Sequence, residues 1–591
     1  MSLNHTLADL FSNLASVMDI KGENSFKAIA FSKVGRLLKD MTFDIAKAVE
    51  DGSIKSIKGI GESSRKIIEE YVRTGQSTDY QEVITSVPAG LLEMMSIPGL
   101  GPKTIALVWK ERGVTSIAEL SKAIEEGKLD GLKGMGEKKI ESIKQGIAIR
   151  STAGLRTGIV DALPLAESLV ERIGKIKGVK QVAYAGSLRR RRETVGDLDM
   201  LCTLDRSATG EEVTAAFVKF AEVQRVLGQG ATKASVLTAG GLQVDLRVVP
   251  PEHFGAALMY FTGSKDHNVR LRSLAQDMGM TLNEWGLYRQ SEYDKADKKT
   301  GQPPDATPVA SLTEADVYKK LGMDYVTPEL REDRGEVELA LSKSLPALVE
   351  LGDMRGDLHM HTTASDGIDS IDAMVEAAIA RGYEFVCITD HSKSQTIANG
   401  LSAERLLQHV KEIRKAAERY RKQITVWAGS EVDILADGHL DYEDAVLAEL
   451  DFVVASPHVA LKQETGKATD RILRAIDNRY VNLIGHPTGR LIDQRLGLPL
   501  DFERVFHAAK QSGTALEINS GYPRLDLNDV QARGAAGAGV MLSINTDAHA
   551  ASALDTIVFG LNVARRAGLT KQSVINCLSA NELAKLVAGK R

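Results

Sequence analysis

The chain has only three cysteines, Cys202, Cys387 and Cys577, far apart and without a CxxC pair. That spacing excludes a disulfide framework and a cysteine-ligated zinc site, and it fits a reducing cytoplasm. No apolar run is long enough to cross a bilayer, and Met1 to Ile20 lacks the basic start of a secretory leader, so neither a membrane span nor a signal peptide is expected. Net positive charge is also missing. A formal charge of −5 looks wrong for a nucleic-acid protein until its distribution is considered. Acidic residues crowd the C-terminal histidines, whereas Arg189 to Arg192 is a purely basic stretch. Local charge therefore has to decide.

What is present is length and pattern. At 591 residues the chain is too long for one core, and roughly three to five domains are expected. The first 150 residues or so read as helices interrupted by a repeated glycine hairpin: Lys58-Gly59-Ile60-Gly61, Pro98-Gly99-Leu100-Gly101 and Lys133-Gly134-Met135-Gly136. A hairpin of this form lets backbone N–H groups at a helix start approach a phosphate, because glycine has no side chain in the way. Such contacts grip the backbone and read no sequence. With Lys58, Lys103, Lys133 and Lys138 nearby, the units resemble helix-hairpin-helix DNA-binding motifs, and this implies DNA contacts at Gly59, Gly61, Gly99, Gly101, Lys103, Gly134 and Gly136. The competing reading for any single copy is a purely structural helical hairpin, and DNA binding by at least one copy is the expectation.

From about Gly158 the pattern becomes mixed. A helix carrying Leu165, Leu169 and Ile173 precedes strand candidates at Val179 to Ala185, Leu198 to Leu204 and Leu242 to Val249. Asp197 and Asp199 lie two apart, so on a strand both carboxylates face one way, and Asp245 in QVDLRV can join them. Three acids on apolar strands repel one another unless cations sit between them. Two divalent ions held in this way suit phosphoryl transfer. A lone DxD is more often a solvated strand edge, so the surrounding residues must carry the argument.

Those residues are GSLRRRRETVGDLDML, then QVDLRV, then YFTGS. Together they resemble the palm of the polymerase-beta-like, family X DNA polymerases of bacterial and archaeal type. The resemblance implies triphosphate contacts at Gly186, Ser187, Arg190, Gly196 and Gly263. It also implies a sugar-discriminating pair at Tyr260 and Phe261, and contacts to the nascent base pair at Asn268 and Arg272. Mg2+ or Mn2+, two ions, and a dNTP substrate follow from the same resemblance. One departure stands out. The position where lyase-active relatives carry a Schiff-base lysine is Ile67, which cannot form an imine. Lys66 lies one residue earlier, about 100° around the helix.

Beyond Thr327 to Gly356, a charged and partly helical link, apolar strands alternate with amphipathic helices. The strand candidates are Phe385 to Thr389, Ile424 to Ala428, Phe452 to Ala455, Leu483 to Ile484, Ala515 to Ile518 and Val540 to Ile544. That alternation predicts a barrel-like domain of parallel strands with helical crossovers. His359 and His361, spaced to share one strand face, Asp366, His391, Glu431, His458, His486, Asp547 and His549 mostly follow apolar runs, where barrel strands end and converge. Imidazole and carboxylate without thiolate suit zinc, manganese or iron. Glu431 is the expected bridge; His409, His439 and His507 fall outside the pattern. The set resembles the PHP (polymerase and histidinol phosphatase) domain, which implies up to three Mn2+ or Zn2+ ions and phosphate-ester hydrolysis.

The expected fold is therefore multidomain α/β: helical helix-hairpin-helix domains (1–85 and 86–153), an α+β nucleotidyltransferase palm (154–260), a thumb-like segment (261–326), a linker (327–356) and a distorted (β/α) barrel of PHP type (357–591). The expected activity is gap filling on gapped or primed double-stranded DNA in base excision repair, by a cytoplasmic monomer without membrane contact. A 3′–5′ exonuclease accompanies it, and the resemblance also allows an abasic-site endonuclease. Two other readings compete: a polymerase fused to a small-molecule phosphatase, and a DNA-end binding module with a silent polymerase site.

Overall fold

The computed structural model describes residues 3–23, 25–39, 45–57, 59–95, 97, 100–132, 134–136, 139–140, 143–144, 147, 156–297, 302–492 and 494–590. Lys58, Pro98, Gly99, Lys133 and Lys138, all named above, lie outside the described residues. The chain forms two compact units, Met1–Leu155 and Arg156–Arg591.

The first unit is helical among its described residues. Leu7, Phe11 and Leu14 of helix Leu3–Lys21 pack with Phe31 and Val34 of helix Ser25–Lys39 and with Ile67 and Ile68 of helix Glu62–Thr74. Val17 and Ile20, further along the first helix, belong to a second core with Leu91, Ile105, Val108 and Leu120. Gly61 and Gly101 are the extended residues that open helices Glu62–Thr74 and Pro102–Arg112. A Cβ placed on Gly61, Gly101 or Gly136 would meet nothing within 4 Å, whereas one on Gly59 would stand 3.5 Å from the Leu37 side chain.

The second unit contains a five-stranded sheet: β1 (Val179–Tyr184), β2 (Asp197–Leu204), β3 (Val223–Gln229), β4 (Lys233–Thr238) and β5 (Gln243–Val248), in the order β1-β2-β5-β4-β3. Helix Ile159–Gly174 buries Ile159, Ala162, Ala166, Leu169 and Ile173, a 3–4 spacing that makes one apolar stripe against this sheet. Sequence pattern does not signal β3, because most of its residues are exposed and the alternation of a half-buried strand is lost. A hairpin, β6 (Met280–Asn283) and β7 (Gly286–Arg289), follows two helices, Phe254–Thr262 and Lys265–Asp277. The segment 327–356 is packed, with Val337 and Ala340 of helix Glu336–Leu341 sharing a core with Leu271, Leu287 and Val317.

Seven parallel strands complete the unit: β8 (Gly356–Asp357), β9 (Phe385–Ile388), β10 (Thr425–Asp433), β11 (Phe452–Ser456), β12 (Leu483–Ile484), β13 (Ala515–Asn519) and β14 (Leu542–Asn545). They are hydrogen-bonded in chain order, and a parallel bridge from Met360 to Ala548 brings the segment after β8 against the segment after β14. Phe385–Ile388 and Phe452–Ser456 are buried throughout, as parallel strands covered on both faces must be. Leu583 and Val587 of the C-terminal helix Ala580–Lys590 pack with Phe385, Cys387 and Val454 on one strand face. This is the near-closed (β/α) barrel expected from the alternation. The three cysteines are free, and burial pushes the Cys202 thiol up to about 12. Among the described residues, no helix is long and apolar enough to cross a membrane.

Candidate active sites

The first site is built on β2 and β5. These strands run parallel with Asp199 opposite Asp245 and Asp197 opposite Gln243, so the register places three carboxylates at one end of the sheet. Burial, then Asp197 and Asp245, push the Asp199 carboxyl up to about 7. Lys233 reaches Asp245 at 2.6 Å and, against the cost of burial, holds it below its ordinary value. A carboxylate raised in this way is one that a divalent cation would return to its charged form. In this structure, though, Asp197, Asp199 and Asp245 do not form one of the groups, among the described residues, whose ligand atoms all lie within 4.8 Å of one another, and Asp245 is turned to Lys233.

Above the carboxylates, Gly186 takes φ +63°, and a Cβ there would stand 2.8 Å from Asp199 Oδ2. Only glycine fits this close approach. Gly186 opens the short helix Gly186–Arg189, which presents the half-buried Ser187. Arg190 donates from Nη1 to the Thr262 carbonyl at 2.6 Å and from Nε to Glu332 at 3.1 Å. Arg189 turns away into a fork on Glu314, at 2.8 and 2.6 Å. Gly196 is exposed beside Asp197. Tyr260 and Phe261 meet edge to face at 5.3 Å, Gly263 ends their helix, and Asn268 donates to the Tyr260 carbonyl at 2.7 Å. Arg272 is half-buried one helical turn further on.

The second site lies at the ends of the barrel strands. Three groups of side chains bring ligand atoms within 4.8 Å of one another: His361, Asp366, His391 and His549; His359, His361, Glu431 and Asp547; and His391, Glu431 and His458. Glu431, like His361 and His391, belongs to two of them. The ninth expected residue, His486, points Nε2 at Glu431 from 2.8 Å. His359 and His361 lie just past β8 rather than within it, yet their rings are 5.3 Å apart. Their spacing is held instead by hydrogen bonds from Met360 N to Thr389 Oγ1 and from His361 N to Ala548 O.

Buried His361 Nδ1 and His486 Nδ1 have no hydrogen-bond partner, while His391 Nδ1 lies 2.8 Å from Glu431 Oε2 and His359 Nε2 3.3 Å from Glu431 Oε1 without hydrogen-bond geometry. Orphan imidazole nitrogens converging with carboxylates in one pit are costly unless ions sit among them, so these residues fit metal. Against the cost of burial, Glu517, Asp547 and Glu431 hold the His359 imidazole well above its ordinary value, whereas burial takes His486 down to about 4. Asp366 and His549 sit at the more open side.

A supporting layer escaped the sequence reading. Glu517 accepts from His359 Nδ1 at 2.8 Å and from the His486 backbone N–H at 2.6 Å. Asp433 pairs with His458 Nδ1, and Asp390 takes bonds from Thr362, Ser365 and His409. The only available signal was their place in or beside apolar strand runs, which identifies no partner. His409 is thus a partner of Asp390, His439 pairs with Asp437 on the surface, and His507 is exposed; none joins a ligand group among the described residues.

Comparison with known proteins supplies the family. A "DNA polymerase beta thumb" domain matches residues 257–332, a "PHP domain" matches 357–521, a "Helix-hairpin-helix domain" matches 2–77, and a "SAM-like Helix-hairpin-helix tandem" matches 91–148. A Bacillus subtilis protein named DNA polymerase/3′-5′ exonuclease PolX is 38% identical over 97% of this chain and 97% of its own. The chain belongs to the PolX family of DNA polymerases. Two further relatives cover parts of this chain. DNA polymerase lambda of Rattus norvegicus is 26% identical over 54% of this chain and 54% of its own. A probable phosphatase of Thermoanaerobacter is 29% identical over 37% of this chain and 89% of its own.

Proposed function

We propose that this chain extends primers at gaps in double-stranded DNA from dNTPs and shortens 3′ ends at its second centre. The observation that carries this reading is the presence, in one chain, of two chemically distinct centres: a strand-borne trio of carboxylates and a pit of histidines. Divalent cations, Mg2+ or Mn2+ at the first and Mn2+ or Zn2+ at the second, supply charge neutralisation and a more acidic nucleophile. Asp197, Asp199 and Asp245 hold the first pair. Gly186, Ser187 and Gly196 offer backbone and hydroxyl groups to the triphosphate, and the Arg190 guanidinium, held by Thr262 and Glu332, directs its charge to the phosphate oxygens. Tyr260 and Phe261, beside Gly263, exclude a 2′-hydroxyl by shape, while Asn268 and Arg272 address the nascent pair.

At the second centre, His359, His361, Asp366, His391, Glu431, His458, His486, Asp547 and His549 hold up to three ions. Arg524, partly exposed with Nε 3.8 Å from Asp547, supplies a cation for the scissile phosphate. Gly59, Gly61, Gly99, Gly101, Lys103, Gly134 and Gly136 grip the DNA backbone. The proposed setting is short-gap repair by a monomer in the cytoplasm. A small-molecule phosphatase reading is set aside, because the phosphatase relative from Thermoanaerobacter covers 37% of this chain whereas the Bacillus subtilis relative covers 97%.

The test is a 5′-labelled primer in gapped duplex with manganese, with and without dNTPs. Extension with dNTPs and shortening without them are expected. Extension with no shortening would return the histidine centre to the phosphatase reading, and no extension would overturn the polymerase assignment.

A further inference from the structure

The loop that carries Gly186, Ser187 and Arg190 is not held by the palm alone. Arg566, the last residue of helix Ile557–Arg566 in the PHP part, is buried against it. Its Nη1 donates to the Arg190 carbonyl at 2.8 Å and to Glu332 Oε1 at 3.0 Å, and its Nη2 donates to Asp529 at 2.7 Å. The same Glu332 oxygen takes Arg190 Nε at 3.1 Å, with Arg192 at 4.0 Å. Three residues along the loop, Glu193 pairs with Arg490, with a second contact at 3.2 Å. Arg490 lies four residues beyond His486. The PHP part therefore clamps the palm loop at two points.

Charge explains why the clamp matters. Arg189 to Arg192 are four consecutive cations, and left to themselves they repel and spread over many rotamers. Arg189 is consumed by Glu314. Arg190 keeps one defined pose, because its guanidinium is fixed through Nη1 at the Thr262 carbonyl and through Nε at Glu332. Glu332 in turn is shared with Arg566, whose second bond to Asp529 gives it one orientation. A side chain fixed before the ligand arrives loses less freedom on binding.

We propose that Arg566, supplied by the PHP part, is a positioning residue for nucleotide binding, acting through Glu332 and the Arg190 carbonyl to preset Arg190 for the triphosphate. This rests on the reading that Arg190 meets the triphosphate. Arg566 touches no nucleotide. It follows that the polymerase site is incomplete without the domain that carries the exonuclease.

The experiment is steady-state incorporation on gapped DNA by the full chain, with exonuclease rate and melting temperature measured alongside. Arg190→Met is the control for the underlying reading: an unchanged dNTP KM in that variant overturns that reading and, with it, this proposal. Given a raised KM for Arg190→Met, the expectation for Glu332→Gln and Arg566→Met is a dNTP KM about tenfold higher. kcat, DNA affinity and exonuclease rate should change far less, and Arg566→Lys should restore part of the loss. Glu332→Gln/Arg566→Met should be no worse than the worse single variant, because both act along one path. Should Arg566→Met fail to fold, Glu332→Gln carries the test alone. A normal dNTP KM in Glu332→Gln overturns the proposal, as do additive effects in the double variant, or equal losses of polymerase and exonuclease activity.

Discussion

Asp199 stands directly opposite Asp245 on adjacent parallel strands, and Gly186 leaves just enough room for the Asp199 carboxylate beside it. Removing Asp199 removes one wall of that centre and touches nothing in the barrel. Asp199→Ala is expected to lose primer extension by more than about 10²-fold while keeping 3′ shortening. A gel with the labelled primer reads both, and loss of both activities would contradict two separate sites.

Gly186→Ala puts a methyl group 2.8 Å from Asp199 Oδ2 at a backbone φ of +63°. Strain and steric conflict coincide at the carboxylate. Extension is expected to fall at least as far as dNTP affinity, with the melting temperature lowered by only a few degrees and exonuclease activity kept. A fully active alanine variant would show that the loop can move aside.

Glu431 is shared by two of the histidine groups, so its loss should empty more than one position. Glu431→Gln, and independently His361→Ala, are expected to abolish 3′ shortening and leave extension intact. Bound metal per chain, measured by elemental analysis after gel filtration, should drop in both. Chelation of the wild-type chain, followed by Mg2+ alone or Mn2+ alone, would then identify which ion restores each activity.

Burial would raise the Glu314 carboxyl, but Arg189 and Arg331 bring it down from 4.5 to about 2. A group depressed on folding contributes stability that is full above pH 4.5 and is lost as the pH falls towards 2. The contribution is about 3 kcal/mol. Glu314→Gln should therefore unfold at lower denaturant at pH 7, with a flatter stability profile between pH 4.5 and 2. An unchanged profile would mean that the Arg189 fork carries no net stability.

Lys103 is exposed beside Gly101 at the start of helix Pro102–Arg112. Lys103→Ala should weaken binding evenly across DNA sequences and reduce the log–log salt slope by about 1. An unchanged slope in a fluorescence anisotropy titration would remove this lysine from the interface.

The sequence by itself determined the two chemistries and most of the scaffold. Asp197 and Asp199 share a strand face because strand periodicity is two, and the alternation of apolar runs with amphipathic helices made a parallel barrel the natural reading. Glycine spacing marked the hairpins for a similarly local reason. The tertiary structure alone decided who partners whom. The sharing of Glu431, the support of His359 by Glu517 and the clamp of Arg566 on Glu332 join residues as much as 234 positions apart. Such pairings leave no periodic trace, because a buried charge is satisfied by whichever opposite charge the chain's path brings near it. The edge strand Val223–Gln229 was illegible for a related reason: its polar, exposed residues become a strand only because Lys233–Thr238 is there to pair with it.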